Sequence, residues 1–305
     1  MKRLAGTALV AAALLALPLA TQSDFVLTIL VFAFLQGMLA VSFNLVFGYA
    51  GQLSMFHAAA FGIAAYATHL FGKHLGVGYW GGVVLAAALV AAISVVVGAI
   101  CFRFRLREFY FAVVTLAFSE MARLTVLNWN SMTNGSLGIN LQERPIDGTL
   151  AWYYVALGAL AITLVVCWRL VHSWMGRAFV AIRLNDELGD TLGINVFRYK
   201  LVAFTAGSIM AAFAGSLYAY FLGSLEPGLL SIDTSLGIIA MVLLGGRRAV
   251  AAPVLGALVL TALPHLIHFS AEIRSLVYGA ILIFSILVMP QGIYGAAAQL
   301  IRRHA

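Results

Sequence analysis

Long apolar runs separated by short polar stretches make up almost the whole chain. Runs of about 20 apolar residues match the length that a helix needs to cross a bilayer. Such runs favour helices over barrel strands, and a helix satisfies its own backbone hydrogen bonds in lipid. We therefore predict an all-α, polytopic integral membrane protein with about ten transmembrane helices. The predicted spans cover residues 1–18, 25–47, 48–71, 80–102, 109–127, 151–171, 201–222, 231–244, 251–269 and 275–289.

The first apolar run has two interpretations. It begins with Lys2 and Arg3 and continues to Pro18, which is also the pattern of a short signal peptide. No small-x-small cleavage site follows, because Pro18 and Ala20 flank the candidate position. We interpret the run as a first transmembrane helix.

Two polar stretches are longer than a turn. Residues 128–149 are rich in Asn, Ser, Gly and Pro, which predicts an outer loop with turns. Residues 172–199 lie in the most charged part of the chain, RLVHSWMGRAFVAIRLNDELGDTLGINVFRYK, and form the predicted cytoplasmic loop. We find no internal repeat and no second soluble domain, so residues 1–305 are interpreted as a single transmembrane domain.

An amphipathic helix is predicted inside the cytoplasmic loop, from residue 176 to residue 193. With 3.6 residues per turn, its apolar and small side chains fall on one face and its charged side chains on the other. The first face comprises Ala181, Leu184, Leu188, Thr191 and Leu192. The second comprises Arg183, Asp186, Glu187 and Asp190, with Arg183 spaced to pair with Asp186 and Glu187. Gly193 supplies a stop, and the apolar stripe can dock on a partner while the charged face stays in water.

Composition and charge agree with a membrane protein. The chain is 63% hydrophobic and 10% charged, whereas soluble domains average roughly 25% charged residues. The net charge of +7 comes from small basic clusters between apolar runs, as the positive-inside rule expects, and does not indicate nucleic acid binding. We predict that both termini are cytoplasmic. In this orientation the basic residues on the outer side of the membrane are only Lys73, Arg144 and Arg274, and Arg123 lies inside a span.

Glu120 and Arg123 are charged residues inside a predicted span. A charge at the bilayer centre costs roughly 2.5–3.5 kcal/mol on insertion scales. Their i, i+3 spacing places them on one helix face, where they can neutralise each other. They are either a substrate-path or gating pair or a structural ion pair near a helix end.

A second candidate site lies where the third span is broken or kinked, near Gly48 and Gly51. Discontinuous helices are where many transporters bind solutes, but the glycines could equally permit close helix packing. The candidate path residues of this region are Asn44, Gln52, Ser54, Phe56 and His57.

The chain lacks the motifs of several enzyme classes. It contains no H-E-x-x-H motif and no G-x-x-x-x-G-K-[ST] loop. His265 and His268 share a helix face, but no third ligand is apparent, so no metal site is predicted. If ATP drives this protein, another chain hydrolyses it.

Several stretches together resemble one family. They are GYAGQLSMFHAAAFGIAAY, TLAFSEMARLTVLNWNSMTNGSLG, GRAFVAIRLNDELGDTLGINVFRYKLVAF, LLGGRRAVAAPVLGA and MPQGIYG. In this order they resemble the branched-chain amino acid ABC transporter permeases, and most closely the M-type of the two paired permease subunits. The resemblance covers nearly the whole chain after the first helix.

The resemblance implies a bacterial inner-membrane importer of amino-acid-like solutes. A second permease would complete the pathway as a heterodimer, and a periplasmic binding protein would deliver the solute. Two cytoplasmic ATPase subunits would bind ATP and Mg²⁺, so this chain would bind no cofactor. The amphipathic helix would be the coupling helix, with Leu184, Leu188 and Leu192, here called the leucine stripe, as its docking surface and the charged face setting its orientation.

The chain also departs from the family pattern. Glu187 and Gly193 keep the spacing of the importers' E-A-A-x-x-x-G motif, while Leu188 and Gly189 replace its two alanines. Phe56 stands where the family commonly has Gly. Asn134 interrupts a usual Gly pair, and Arg247 and Arg248 make a usually small turn more basic.

Two other functions stay open at this point. An ATP-independent secondary transporter or channel would use Glu120 and Arg123 as an ion-responsive pair. A membrane-embedded enzyme built around His57 and Glu120 has little support, because the two residues lie in different spans and no third catalytic group is apparent.

Overall fold

The computed structural model describes residues 12–18, 21, 23–106, 108–141, 145–247, 249–267, 279 and 292–295. Helices dominate these residues. They are α1 (Asp24–Asn44), α2 (Phe56–Leu75), α3 (Tyr79–Arg103), α4 (Glu108–Asn128), α5 (Asn130–Thr133), α6 (Thr149–His172), α7 (Trp174–Leu184), α8 (Asp186–Thr191), α9 (Val196–Leu222), α10 (Ile232–Gly245) and α11 (Ala252–Ile267). A π-helical turn, Leu45–Tyr49, follows α1, and 3-10 turns occur at Gly135–Leu137 and Pro227–Leu230.

Five of these helices are long and apolar enough to cross a membrane. They are Asp24–Tyr49 (α1 with its π turn), α3, α4, α6 and α9. The predicted third, eighth and ninth spans correspond to α2 and to the shorter apolar helices α10 and α11. The predicted first helix is described only over 12–18, where it is helical, and the tenth span lies outside the described residues apart from residue 279. The prediction of helical membrane spans is therefore confirmed, while the count of ten stays a prediction.

The core of the bundle lies around α1 and α9, the two spans with the largest buried share. Helix α1 packs against α6, α9, α10 and α11, and α9 packs against α2 and α3. Small residues allow this close packing, as is usual between membrane helices. A Cβ on Gly215 of α9 would lie 2.0 Å from the carbonyl oxygen of Phe61 in α2, so only glycine permits this approach.

Buried hydroxyl groups also join α2 and α9. Thr68 and Ser216 are hydrogen bonded to each other at 2.8 Å, and both are fully buried. The Thr68 hydroxyl also donates to the Ala64 carbonyl of its own helix at 2.8 Å. These hydroxyls have hydrogen-bond partners in an apolar interior, where an unpaired polar group would be costly.

The predicted outer loop contains more regular structure than turns. It holds α5, a 3-10 turn and the two-residue strand β1 (Ile139–Asn140), which pairs antiparallel with β2 (Ser224–Leu225). The Leu141 amide extends this pairing by donating to the Gly223 carbonyl at 2.9 Å. The loop is thereby attached to the C-terminal end of α9.

Candidate functional site

The chain leaves the helical conformation between α1 and α2. After the π turn, residues 50–55 are non-helical, and α2 begins at Phe56. Gly51 has a φ of +72°, a left-handed conformation that glycine adopts without steric cost. We call residues 45–55 the broken segment. The predicted break near Gly48 and Gly51 is confirmed, and π turns inside helices are frequent at functional sites.

Backbone groups of the broken segment find partners on neighbouring spans. The Met55 amide donates to the Thr115 hydroxyl of α4 at 3.0 Å. The Ser235 hydroxyl of α10 donates to the Met55 carbonyl at 3.3 Å. Interrupting a helix in an apolar interior frees backbone groups that must be hydrogen bonded by other parts of the protein. Thr115 and Ser235 were not predicted from the sequence. Each is visible there as a hydroxyl residue in an apolar run, but the sequence does not indicate which backbone group the hydroxyl binds.

The candidate path residues at the break are buried. Asn44, Gln52, Ser54 and His57 are each at most 3% exposed. The Ser54 hydroxyl accepts a hydrogen bond from the Phe56 amide at 3.2 Å. In contrast, Asn44 Oδ1, Gln52 Oε1 and both ring nitrogens of His57 make no ordinary hydrogen bond within the described part of the chain. An unsatisfied buried polar group costs about 1–3 kcal/mol, so these atoms can form favourable interactions with a polar solute.

Aromatic and small residues enclose His57. Its ring meets the Phe43 ring edge-on, with centroids 5.2 Å apart. A Cβ on Gly207 of α9 would lie 3.1 Å from His57 Nε2. Phe56 packs against Phe204 of α9 with centroids 5.4 Å apart. The break is therefore enclosed by residues of α1 and α9.

Open space lies elsewhere in the described structure. An apolar groove of about 490 Å³ lies between α1, α3, α6 and α9 and is lined by residues such as Met38, Trp80 and Phe213. A second cavity, of about 610 Å³, lies beside the predicted cytoplasmic loop and is lined by residues such as Arg105, Asp186 and Lys200. The polar residues of the broken segment line neither of these two spaces.

Glu120 and Arg123 bind each other on α4. Arg123 Nε donates to both carboxylate oxygens of Glu120, at 3.0 and 2.9 Å, and Nη2 makes a further contact. Their side chains are 32% and 29% exposed, respectively, on a helix that buries only a small part of its surface. The arrangement neutralises both charges within one helix, as a structural ion pair does. The described residues leave this pair about a third exposed.

The predicted amphipathic helix is divided into two helices. Asn185 is extended (φ −163°, ψ 115°) and separates α7 from α8. Its side-chain oxygen accepts from the amides of Glu187 and Leu188, at 2.9 and 3.1 Å, as an N-cap. The prediction of one continuous helix from 176 to 193 was therefore wrong, because an asparagine that caps a new helix competes with continuing the old one. Gly193 lies just after α8 in the left-handed conformation, as predicted for a stop.

The division changes the partners of the charged residues. Arg183 does not pair with Asp186 or Glu187; its Nη1 donates instead to the carbonyl of Gly48 in the broken segment. Asp186 forms an ion pair with Lys200 of α9, a lysine side chain that is only 6% exposed. The loop is thus tied to two different membrane helices.

A third tie joins the loop to the turn between α3 and α4. Asp190 pairs with Arg105 at 3.1 Å, where the arginine side chain is 83% exposed. Solvent-exposed pairs contribute about 0–1 kcal/mol, so this tie is the weakest of the three.

The leucine stripe remains uncovered. Leu184, Leu188 and Leu192 are 75%, 57% and 69% exposed, although they lie in the part of the chain that is richest in charge. Leu184 ends α7, Leu188 lies in α8 and Leu192 follows it, so the stripe extends over two helices. Gly189 of α8 is buried against Val196 and Ile182. One side of α8 therefore packs on the protein while the leucines remain available to another molecule.

The described residues contain no group of three or more His, Cys, Asp or Glu side chains that could hold a metal ion. Polar candidates instead collect at a break between membrane helices and on a charged loop outside the spans.

Fold and candidate site together describe a helical membrane protein in which a broken span encloses buried polar groups. Residues 25–286 match the family described as "Branched-chain amino acid transport system / permease component", and the chain belongs to this family. Members are permease subunits of transporters rather than enzymes.

Individual relatives agree with the family match. The chain is 29% identical over 285 residues to the high-affinity branched-chain amino acid transport system permease protein LivM of Escherichia coli K12, covering 84% of this chain and 67% of the relative. It is 25% identical over 286 residues to the corresponding LivH protein of Salmonella typhimurium, covering 85% of this chain and 90% of the relative. No solved structure matches the chain.

Proposed function

We propose that this chain is one permease subunit of an ABC importer for branched-chain amino acids or related small polar solutes. The observation that carries the proposal is the family match over residues 25–286. A second permease subunit completes the pathway, two cytoplasmic ATPase subunits supply the energy, and a periplasmic binding protein delivers the solute. This chain binds no cofactor, and ATP and Mg²⁺ bind to the ATPases.

The broken segment supports a path for a small polar solute. The unpaired oxygens of Asn44 and Gln52 can accept hydrogen bonds from an ammonium or amide group, and a His57 nitrogen can donate to a carboxylate. Phe56, packed against Phe204, provides an apolar wall for a hydrocarbon side chain. Ser54 completes the set and holds the first amide of α2. Because all of these groups are buried, uptake requires a change between closed and open arrangements of the helices.

The cytoplasmic loop 172–199 supports coupling to an ATPase subunit. The leucine stripe is the docking surface, because it is apolar and exposed on a part of the chain that otherwise faces water. Asp186 and Asp190 set the orientation of α8 through Lys200 and Arg105. Glu187 and Gly193 lie at the positions of the importer motif, and Gly193 ends the helix.

The surface of α4 supports contact with the second permease. Glu120 and Arg123 are about a third exposed there, and charged groups facing lipid are costly. A protein partner or a water-filled path along this face removes that cost. The pair then lies at the pathway between the two subunits.

Purification of the tagged chain from mild detergent tests the proposal. The expected result is a complex that contains a second permease and ATPase subunits and that takes up branched-chain amino acids into vesicles only with ATP. A chain that purifies alone and moves solute without ATP would overturn it in favour of a secondary transporter. Maleimide labelling of cysteines placed at both ends of the chain tests whether both termini are cytoplasmic.

A further inference from the structure

A side-chain hydrogen bond links the predicted cytoplasmic loop to the broken segment. Arg183 is the penultimate residue of α7, and its guanidinium reaches the carbonyl of Gly48 in the π turn. The two residues are 135 positions apart in the chain. The contact therefore joins the loop to the membrane region by tertiary structure and not by chain continuity.

The chemistry of a helix end accounts for this contact. The last carbonyl groups of a helix have no amide partner within the helix. Gly48 lies in the final turn before the non-helical residues 50–55, and it is buried. A guanidinium satisfies such a carbonyl, and its positive charge interacts favourably with the negative end of the helix dipole. Arginine suits this position because its donors lie at the end of a long side chain.

The stem of Arg183 lies directly on Gly51. A Cβ on Gly51 would come within 2.6 Å of Arg183 Cγ and 3.2 Å of Arg183 Cα. The positive φ of Gly51 favours glycine independently of this contact. The arginine thus touches the broken segment at two points, one polar and one steric, so a displacement of α7 acts directly on the segment.

The broken segment and the residue before it, Asn44, also contact the connection between α10 and α11. The guanidinium carbon of Arg247 lies 5.0 Å from the centre of the Phe47 ring. Asn44 Nδ2 donates to the Ala249 carbonyl at 3.3 Å. The segment is therefore contacted by two connections. From the loop that carries the leucine stripe, Phe179 of α7 joins Leu45 and Ala50 in one apolar cluster, and Arg183 supplies the hydrogen bond.

We infer that Arg183 is a positioning residue that transmits movement of the cytoplasmic loop to the broken segment, and so to Asn44, Gln52 and His57. Leu184, the next residue, belongs to the leucine stripe, so the docking surface and the membrane contact are adjacent. The inference rests on the proposed function, because the movement originates in the ATPase subunits.

The test uses the purified complex with its ATPases in nanodiscs. A Leu53→Cys probe in the broken segment is introduced after Cys101 and Cys167, both buried, are replaced by alanine. The rate of labelling by a small maleimide is measured with and without ATP and vanadate. Solute uptake per ATP hydrolysed is measured on the same variants in vesicles.

Three variants separate the role of Arg183 from a general effect of charge. Arg183→Gln removes the charge and shortens the side chain, so the hydrogen bond to the Gly48 carbonyl is lost. The nucleotide-dependent change in labelling should therefore disappear. Uptake per ATP should fall about tenfold, within the roughly 5–150-fold range of coupling between distant sites. Arg183→Lys keeps the charge and one long donor, so it should retain an intermediate response. Arg177→Gln, the matched control on the same helix, loses an arginine that stacks on Trp174 instead, and should respond like the native chain.

Each other outcome is decisive. A full nucleotide response in Arg183→Gln, with ATPases bound, would overturn the inference and leave the proposed function standing. An equal loss in Arg177→Gln would also overturn it, because the effect would then be one of loop charge. If Arg183→Gln does not assemble, Arg183→Met, which keeps an unbranched stem without charge or donor, takes its place, and a full response in that variant would be the contradicting result. Failure of the native chain to bind any ATPase would instead contradict the proposed function.

Discussion

The ion pair between Asp186 and Lys200 gives a prediction that two neighbouring residues can test against each other. Asp186 and Glu187 are both acidic residues in the first turn of α8, so both interact with the positive end of this helix. Only Asp186 also pairs with Lys200; the Glu187 carboxylate forms no ion pair within the described residues. Comparing Asp186→Asn with Glu187→Gln therefore isolates the contribution of the pair.

The exposures of the two partners set the size of the effect. The Lys200 side chain is 6% exposed, and the Asp186 side chain is 50% exposed. Removing one partner of a fully buried pair costs about 3–5 kcal/mol, and an exposed pair is worth about 0.2–1 kcal/mol. A pair with one buried and one half-exposed partner should lie between these limits, at about 2 kcal/mol, or about 30-fold in an equilibrium. Glu187→Gln loses only the helix-end interaction, about 0.3–1 kcal/mol.

Amide hydrogen exchange measures this difference directly. The amides of Gly189, Leu192 and Ile194 are hydrogen bonded within and just after α8. Their exchange reports local opening of the segment. Exchange should accelerate about 30-fold in Asp186→Asn and no more than about fivefold in Glu187→Gln.

A double variant provides the internal control. Asp186→Asn with Lys200→Met removes both charges and should recover most of the lost protection, because no unpaired ammonium stays buried. Equal exchange rates in the two single variants would refute the reasoning. So would an Asp186→Asn rate indistinguishable from that of the native chain.

Three further predictions concern packing, charge and docking. Gly215→Ala should destabilise the protein by about 1–3 kcal/mol through overpacking against α2, measured as a lower thermal unfolding temperature in detergent. Gly158→Ala is the control: its new Cβ would meet nothing within 4 Å, so the unfolding temperature should not fall. Glu120→Gln should reduce the membrane-inserted yield more than the double replacement of Glu120 and Arg123 by apolar residues, because only the single variant leaves an unpaired charge in a span. Serine substitutions in the leucine stripe should abolish co-purification of ATPases without changing thermal stability. Leu137→Ser, at a more exposed leucine in the predicted outer loop, should have no effect on binding.

Most of the helical pattern could be predicted from the sequence. The predicted span 201–222 corresponds to α9 (Val196–Leu222), and the predicted span 151–171 corresponds to α6 (Thr149–His172). The agreement has a physical basis, because a bilayer of fixed thickness requires apolar helices of matching length. The break near Gly51 was also predictable, because glycine clusters interrupt helices.

The interior of the candidate site was predictable only in part. Gln52 and His57 stood out as polar residues in an apolar region, and both are buried at the break. The hydroxyls of Thr115 and Ser235, which bind the backbone there, were not identified. Each comes from a span far away in the chain, and periodicity within one span does not specify which neighbour that span faces.

The predicted cytoplasmic loop, residues 172–199, differs most from its local pattern. Helical spacing alone predicted that Arg183 pairs with Asp186 and Glu187. In the structure Arg183 donates to the Gly48 carbonyl, and Asp186 forms an ion pair with Lys200. By itself, the sequence determined that this is a helical membrane protein with an apolar stripe on a charged loop, because apolar length and helical period are local properties. Only the tertiary structure decided which charge meets which partner. Those partners depend on how the membrane helices pack, since packing brings an unpaired carbonyl and a buried lysine within reach of the loop.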